Sequence, residues 1–322
     1  MTTKFSAGKI KRKIMLQRGV VMEISLPVNQ EYIGKTVFQF LKSHGLSKRQ
    51  LRKLKLQNAV FFNNRPVPLN SHLTTPGEVV IKLPHTLPPA VQSQNAPVKV
   101  LYEDDYLIVI DKPAGVLAHP VKNHFAPSMQ ELTLSYYRDK GRIFEGFYPI
   151  YRLDRNTSGP MLIAKFSLIA EMLNNSLRKR QINKIYLALI EGPLADKSGI
   201  INLPLGLLEG SIIKRAVVPG GQPACTKYQT VKAFPTHTLL KVELLTGRTH
   251  QIRAHFAAIG HPLAGDDLYG GKMDLIERQA LHLYYISFPH PITKKTISLY
   301  APLPRDFKEA LITLKKASGE LL

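Results

Sequence analysis

A proline-rich stretch is the predicted boundary between two domains of this chain. Residues 84–97 contain Pro84, Pro88, Pro89 and Pro97, separated mainly by small and polar residues without hydrophobic periodicity. Proline fixes its own backbone angle and lacks an N–H donor, so such a stretch favours neither helix nor sheet. We therefore predict an extended linker here, between a small domain at 20–83 and a larger domain at 98–322.

The charge of the chain is strongly positive and unevenly distributed. The 322 residues include 44 Lys and Arg against 23 Asp and Glu, a net charge of +21. Residues 1–97 hold 15 basic and 3 acidic residues, whereas residues 98–322 hold 29 and 20. An excess of this size indicates a polyanionic partner, and we expect nucleic acid.

The small domain is predicted to expose a basic helix. Ser47 is a suitable N-cap for a helix over 48–57, in which Leu51 and Leu54 face a core and Leu56 is a further candidate for that face. Its cations then lie towards solvent, and we expect four of them to bind RNA: Lys48, Arg49, Arg52 and Lys53. A second helix at 35–44, a strand with an Asn63-Asn64 hairpin turn, and a strand at 78–83 complete a pattern that resembles the S4-type RNA-binding domain over about residues 31–83.

The larger part mixes strands and helices in an irregular order. Its pattern predicts strands at 106–111, 182–191, 226–234, 237–245 and 281–288, and helices at 127–140, 167–180, 248–259 and from about 305. This order favours an α+β fold over regular βαβ alternation. We expect its sheet to be mostly antiparallel or mixed.

Several classes of site are disfavoured by the sequence. The single cysteine, Cys225, excludes an internal disulfide and a cysteine-based zinc site. His250, His255 and His261 are spaced by five and six residues, which does not place them on one helix face, so no metal is expected. Neither a P-loop nor a GxGxxG pattern occurs, so no nucleotide cofactor is expected.

The chain also lacks the signals of a membrane or secreted protein. No apolar run is long enough to span a bilayer, and the six cations among residues 1–18 precede no apolar segment. We interpret residues 1–19 as a basic arm and expect a cytoplasmic monomer.

Two polar stretches carry the candidate chemistry. In the first, Asp154 lies between Arg152 and Arg155 in a turn that precedes an apolar run. Neighbouring arginines favour the ionised carboxylate, which can act as a nucleophile or a base. In the second, Arg248 is predicted to begin a helix, where a cation is unfavourable unless an anion compensates it. The anion can be a phosphate or a carboxylate, and Asp154 is the candidate within the chain.

Four motifs in the larger part are specific in combination. They are YRLDRNTSG from Tyr151, KIYLALIEG from Lys184, LLTGRTHQIRAHFAAIGHPLAGDDLYG from Leu244, and LHLYYISFPHP from Leu281. Together they resemble the pseudouridine synthases of the large-subunit ribosomal type, the RluA-like family, over about residues 99–304. A basic S4-like domain before such a catalytic domain is also a family arrangement.

The resemblance implies an isomerase that needs no cofactor or metal. The uracil base of a uridine in RNA is detached at N1, turned, and rejoined through C5. Asp154 matches the essential aspartate, Tyr186 the active-site tyrosine that packs against the base, and Arg248 the basic residue that pairs with the aspartate. Arg152 matches an arginine that holds RNA with the target base out of the stack. Ribosomal RNA is the expected substrate, and transfer RNA stays open.

Three residues depart from the family pattern. Tyr151 replaces a usual His, Asn156 replaces a commonly acidic residue, and Pro160 replaces an aliphatic residue at the start of the following strand. These departures concern target choice more than rate, because Asp154, Tyr186 and Arg248 are retained.

Two other functional classes agree less well with the sequence. A non-catalytic RNA-binding or ribosome-assembly factor on the same fold predicts loss of Asp154, Tyr186 or Arg248, and all three are present. A glycoside hydrolase normally requires two carboxylates that flank the bond, and the matched motifs offer one.

Overall fold

The computed structural model describes residues 21–84, 97–121, 127–141 and 144–319. The predicted basic arm at 1–19 and the linker residues 85–96 lie outside these ranges. No helix within them is long and apolar enough to cross a membrane.

The first unit is a four-stranded antiparallel sheet with two short helices. Its elements are β1 (Val21–Val28), α1 (Val37–Ser43), α2 (Lys48–Leu56), β2 (Val60–Phe62), β3 (Arg65–Pro66) and β4 (Gly77–Pro84), with a 3-10 turn at Gln30–Tyr32. The strand order is β1-β4-β2-β3. Asn63 and Asn64 both have positive φ, 47° and 67°, as a tight hairpin turn with the twist of a sheet requires.

Helix α2 has the polarity that the sequence predicts, with one correction. Ser47 caps it by accepting a hydrogen bond from the backbone N–H of Gln50, and Leu51 and Leu54 are buried. Leu56 was a further candidate for the core face but is 77% exposed. It is the last residue of the helix, where the chain already turns away from the core.

The second unit contains two larger sheets and a hairpin. Its strands are β5 (Val100–Glu103), β6 (Leu107–Lys112), β7 (Tyr148–Pro149), β8 (Gly159–Ala164), β9 (Asn183–Glu191), β10 (Ser198–Asn202), β11 (Leu205–Leu207), β12 (Arg215–Val217), β13 (Cys225–Ala233), β14 (His237–Leu244), β15 (Leu281–Pro289) and β16 (Thr296–Tyr300). Its helices are α3 (Met129–Asp139), α4 (Ser167–Arg178), α5 (Gln251–Ala258) and α6 (Arg305–Ala317), with a 3-10 turn at Asp267–Tyr269.

The strand pairings explain how the two sheets meet. One sheet has the order β5-β6-β8-β7 and the other β10-β13-β14-β9-β15-β16, and all ladders between these named strands are antiparallel. Gly159, the first residue of β8, adopts φ +121°, and a Cβ there would lie 2.1 Å from the carbonyl oxygen of Leu283 in β15. Only glycine therefore permits the two sheets to approach at this point. The mixed helices and antiparallel sheets confirm the α+β class.

The two units are in contact through α4. Gly45, in the turn between α1 and α2, has φ +95°, and an added Cβ would lie 3.0 Å from Asn175 Nδ2 and 3.5 Å from Met172 Cα. The neighbouring α4 residues Asn174 and Leu177 line a large cavity of the second unit. One helix thus touches the small unit and the wall of the cavity.

Candidate active site

A large open cavity lies where the two sheets of the second unit meet. Its volume is about 1620 Å³, which exceeds the roughly 300–1,000 Å³ typical of small-molecule pockets. Two carboxylates, those of Asp154 and Glu243, line it. Seven cationic residues also line it: Arg152, Arg155, Arg178, Arg180, Lys184, Arg248 and Arg253. Its size and charge suit a segment of a polyanion rather than a small neutral molecule.

A buried lysine supports the loop that carries Asp154. Lys112, at the end of β6, is fully buried, and its Nζ donates to the carbonyl oxygens of Pro113, Arg155 and Thr157 at 2.8, 2.8 and 2.9 Å. Burial lowers the pKa of Lys112 to about 7, and the charge of Asp154 opposes that shift. Three carbonyl acceptors match the three donors of the charged amine, so we assign the ammonium form.

A buried arginine and a strand hold the same loop from the other side. Arg278 donates to the carbonyl oxygen of Asn156 at 3.0 Å, and its Nε and Nη2 bind the Asp306 carboxylate at 2.6 and 3.0 Å. The backbone N–H of Leu283 donates to the Ser158 carbonyl oxygen at 2.8 Å. These contacts hold the backbone of the loop in place. The position of the Asp154 side chain therefore depends on the conformation of the loop more than on the residues next to it in sequence.

Asp154 is paired with Arg253 on α5. Arg253 Nη1 lies 3.3 Å from Asp154 Oδ2, while Arg253 Nε and Nη2 bind the fully buried Asp266 at 2.7 Å each. Burial alone would lower the pKa of Arg253, but Asp266 and Asp154 together raise it. The guanidinium is thus held by one carboxylate and presents its remaining nitrogen to the other.

This arrangement corrects the predicted pairing of Arg248 with Asp154. Helix α5 begins at Gln251, so Arg248 lies in the turn before it. Its backbone N–H donates to Gln251 Oε1 at 2.9 Å, and its Nε donates to the Pro223 carbonyl oxygen at 3.1 Å. The side chain is exposed at the cavity wall. The prediction assumed that Arg248 stood at the helix start, and the actual start three residues later brings Arg253 to the carboxylate.

Tyr186 also lines the cavity, from the central strand β9. It pairs in register with Val242 of β14 and Leu283 of β15, and it is 5% exposed. Burial raises its pKa, and the nearby charge of Asp154 raises it further. Tyr186 is therefore a neutral phenol that lies close enough to Asp154 for the carboxylate charge to raise its pKa.

Two of the residues that depart from the family pattern contact each other. The buried Tyr151 hydroxyl donates to the Pro160 carbonyl oxygen at 2.8 Å. Lys184 Nζ lies 4.7 Å from the centre of the Tyr151 ring, and burial lowers the Lys184 pKa to about 8. Tyr151 therefore links the start of β8 to a titratable cation in the cavity wall.

The histidines of the second motif have separate partners. His250 Nε2 is 3.9 Å from Asp154 Oδ2, and burial lowers the His250 pKa despite that carboxylate. His255 contacts Thr226 and the Leu203 carbonyl, while His261 contacts the Glu191 carbonyl. In the ranges that the structure covers, no three His, Cys, Asp or Glu side chains form a metal-binding group.

The remaining predicted RNA contacts fall on two surfaces. Arg152 is exposed and lines the cavity beside Asp154. Lys48, Arg49, Arg52 and Lys53 are exposed on α2 and are not part of the cavity wall. The structure therefore brings together Asp154, Tyr186 and Arg152, and leaves the α2 cations on a separate surface.

Sequence reasoning missed Arg253, Lys112 and Arg278. Each is a cation in a run of residues that the fold buries, and such a cation requires acceptors nearby. Arg253 could have been identified from the sequence, because it follows the apolar Ile252 in the motif that begins at Leu244. For Lys112 and Arg278 the acceptors are backbone carbonyls distant in sequence, which no local pattern indicates.

Comparison with known proteins identifies the class. The profile of the RNA pseudouridylate synthase family matches residues 106–258. The chain is 35% identical over 298 residues to the uncharacterized RNA pseudouridine synthase YhcT of Bacillus subtilis, covering 91% of this chain and 97% of that one. It is also 35% identical over 233 residues to the ribosomal large subunit pseudouridine synthase D of Nitrosomonas europaea, covering 70% and 67%.

Similarity of this extent over most of both chains shows the family. The chain belongs to the RNA pseudouridine synthases, which are isomerases. Among solved structures, human RNA pseudouridylate synthase domain containing 4 superposes with a TM-score of 0.56 at 23% identity, covering 67% of this chain and 93% of that one. At that identity the match concerns the fold alone.

Proposed function

We propose that this enzyme converts uridines of large-subunit ribosomal RNA to pseudouridine at the cavity around Asp154. The observation that carries the proposal is the Asp154–Arg253 pair, 3.3 Å apart, in a cavity lined by seven cationic residues. Arg253 pairs with the Asp154 carboxylate, and the surrounding cations attract the phosphates of RNA. Similarity to relatives named for the large ribosomal subunit supports this substrate class over transfer RNA.

Each residue has a role that follows from its position. As the bond between N1 and the sugar breaks, positive charge develops on the sugar carbon, and the Asp154 carboxylate compensates it or bonds to it. Tyr186 packs against the detached base. Because it is a neutral phenol, it assists removal of the C5 proton only by passing its own proton to an acceptor such as the Asp154 carboxylate in the same step. Arg152 and Arg248, exposed at the wall, contact phosphates and hold the flipped nucleotide.

The first unit is proposed to be an S4-like RNA-binding domain. Its support is the order of helix, basic helix and hairpin, and the exposed cations of α2. We further propose that the protein works as a monomer in the cytoplasm.

The substitution Asp154→Asn tests the proposal directly. Release of tritium from RNA labelled at uracil C5 is expected to fall by about 10³-fold or more, because the carboxylate is neutralised without a change of shape. RNA affinity, measured by filter binding, is expected to stay within about twofold, since Asn occupies the same volume and carries no charge that repels phosphate.

Asp196→Asn is the matched control, because Asp196 is exposed and does not line the cavity. Large-subunit ribosomal RNA and transfer RNA are assayed in parallel. Near-normal tritium release by Asp154→Asn would disprove the assigned chemistry, and faster release from transfer RNA would disprove the assigned substrate.

A further inference from the structure

A separate two-stranded hairpin projects between β10 and β13. Its strands β11 and β12 pair from Leu205 with Val217 to Leu207 with Arg215. The connecting loop is ordered by its own hydrogen bonds: Leu208 N–H donates to the Lys214 carbonyl at 2.9 Å, and Ser211 Oγ accepts from the backbone N–H groups of Ile213 and Lys214 at 3.3 and 2.9 Å. These hydrogen bonds stabilise the turn at the tip.

The tip exposes an unusual amount of apolar surface. Of the fourteen large hydrophobic residues exposed in the described ranges, five belong to this hairpin, and Ile212 and Ile213 at its tip are 92% and 56% exposed. Scattered exposed apolar residues need no explanation, but a cluster on a short projecting element marks a contact surface.

The base of the hairpin is attached to the active site. Leu205 is buried in a small cluster with Ala254 of α5 and Tyr269. The backbone N–H of Arg215 donates to the Tyr269 hydroxyl at 2.9 Å, and the Tyr269 ring lies 4.9 Å from the guanidinium carbon of Arg253. One aromatic ring thus separates the hairpin from the arginine that binds Asp154.

Two cations accompany the apolar tip. Lys214 Nζ lies 5.4 Å from the centre of the Tyr269 ring. Arg215 has a buried Nε for which the described residues supply no hydrogen-bond partner. The loop also contains one carboxylate, Glu209, so that the hairpin remains cationic on balance. An apolar tip with cations at its base has the composition of an element that meets both the bases and the phosphates of RNA.

We propose that Ile212 and Ile213 form an apolar wedge that enters the base stack of the RNA beside the target uridine. The proposal rests on the function proposed above and names the step that the hairpin serves. Removing a base from a helix leaves a gap in the stack, and apolar side chains that fill such a gap offset the cost of unstacking. Lys214 and Arg215 then lie near the phosphates on either side of that gap.

RNA is the favoured occupant because of the position of the hairpin. Its base adjoins the cationic cavity through Tyr269 and α5, and an RNA segment that enters the cavity extends past its edge. The apolar surface is also small and bordered by cations, whereas a stable protein interface needs a larger buried patch.

The double substitution Ile212→Ser, Ile213→Ser tests the wedge. Both side chains are exposed, so the melting temperature is expected to stay unchanged. On RNA in which the target uridine is in a stem, kcat/KM is expected to fall about tenfold, the typical loss for one base-stacking contact. On an unpaired oligonucleotide of the same sequence the change is expected to be less than twofold, because no stack needs to be opened.

The double substitution Ile212→Leu, Ile213→Leu keeps apolar side chains at the tip and should have the activity of the unchanged protein on the stem. Ile200→Ser is the matched control, since Ile200 is 61% exposed on the edge strand β10. Base opening is followed independently with 2-aminopurine beside the target position, bound to protein that also carries Asp154→Asn. That readout needs no turnover, so it decides the wedge even if the wild-type enzyme proves inactive on these RNAs.

A loss of 2-aminopurine emission confined to the stem supports the proposal. Equal losses on stem and oligonucleotide would overturn it in favour of a general RNA contact. Unchanged activity and emission on both would overturn it as well, and would assign the tip to a protein partner.

Discussion

Two groups of cations in this molecule have opposite surroundings. Beneath the Asp154 loop, Lys112 and Arg278 are 0% and 8% exposed, and their donors bind carbonyl oxygens and the Asp306 carboxylate. On α2, by contrast, the cations Lys48, Arg49, Arg52, Lys53 and Lys55 are all exposed to solvent.

The difference shows that the cations behind the net charge of +21 have two different roles. A buried cation loses its hydration and is tolerated only where protein groups replace it, so it acts as a structural support. An exposed cation keeps its hydration and its counterions until it meets a phosphate, so its contribution depends on salt. Substitutions in the two groups should therefore differ in kind, with loss of chemistry in the first and loss of affinity in the second.

The largest effect is expected for Arg253, which is buried like Lys112 and Arg278. Arg253→Lys cannot bind Asp266 through two nitrogens and reach Asp154 with a third, because lysine offers a single nitrogen. We expect kcat to fall about 10²- to 10³-fold in single-turnover assays. Arg248→Lys, at the cavity wall, is expected to change kcat less than about tenfold. If Arg248→Lys were the more damaging of the two, the assigned partner of Asp154 would be wrong.

The next largest effect is expected for Lys112. Lys112→Met removes the donors to three carbonyls, and we expect a loss of about 3 kcal/mol in the free energy of unfolding together with about 100-fold in kcat at a temperature where the variant is folded. Urea denaturation and single-turnover rates measure the two losses. Lys99→Met, in an exposed pair with Asp111, is the control, and a variant of Lys112 as stable as this control would contradict the supporting role.

A smaller effect, of another kind, is expected on α2. Replacing Arg49, Arg52 and Lys53 by Gln should raise KM for structured RNA about tenfold and reduce the slope of log affinity against log salt by about 2, since each phosphate contact contributes about 0.7–0.9. The kcat on saturating RNA should remain unchanged. An unaltered salt slope would mean that α2 is only a solvated face, and a reduced kcat would mean that the contact at Gly45 transmits the change to α4.

The smallest effect is expected from Lys184, which belongs to neither group. Burial lowers its pKa to about 8, and a bound phosphate would raise it again. Binding then takes up a proton above pH 8, so RNA affinity should fall a few-fold between pH 7 and pH 9. Lys184→Arg stays charged and should remove this part of the pH dependence. A wild-type affinity that is constant over this range would show that Lys184 does not meet phosphate.

Most elements could be predicted from the sequence because their signals are local. The cap at Ser47, the hairpin at Asn63 and Asn64, and the apolar runs of β6 and β15 depend on neighbours a few residues away, and each lies close to its predicted place. The predicted end of α2 was wrong by one residue and the predicted start of α5 by three, as helix ends depend on tertiary contacts. The β11–β12 hairpin was not predicted, since its strands are only three residues long.

The sequence by itself determined the class of protein and pointed to two residues of its proposed site. Asp154 and Tyr186 occur within specific motifs, and the arginines that flank Asp154 are its neighbours in sequence. Both residues can therefore be recognised without a structure. Only the tertiary structure decided which arginine binds Asp154 and which cations hold its loop. The partners of Arg253 lie 99 residues back at Asp154 and 13 ahead at Asp266, and Lys112 reaches carbonyls 43 and 45 residues away. Those contacts form only where the two sheets pack against each other at Gly159. A local pattern of residues does not show which distant residues this packing brings together.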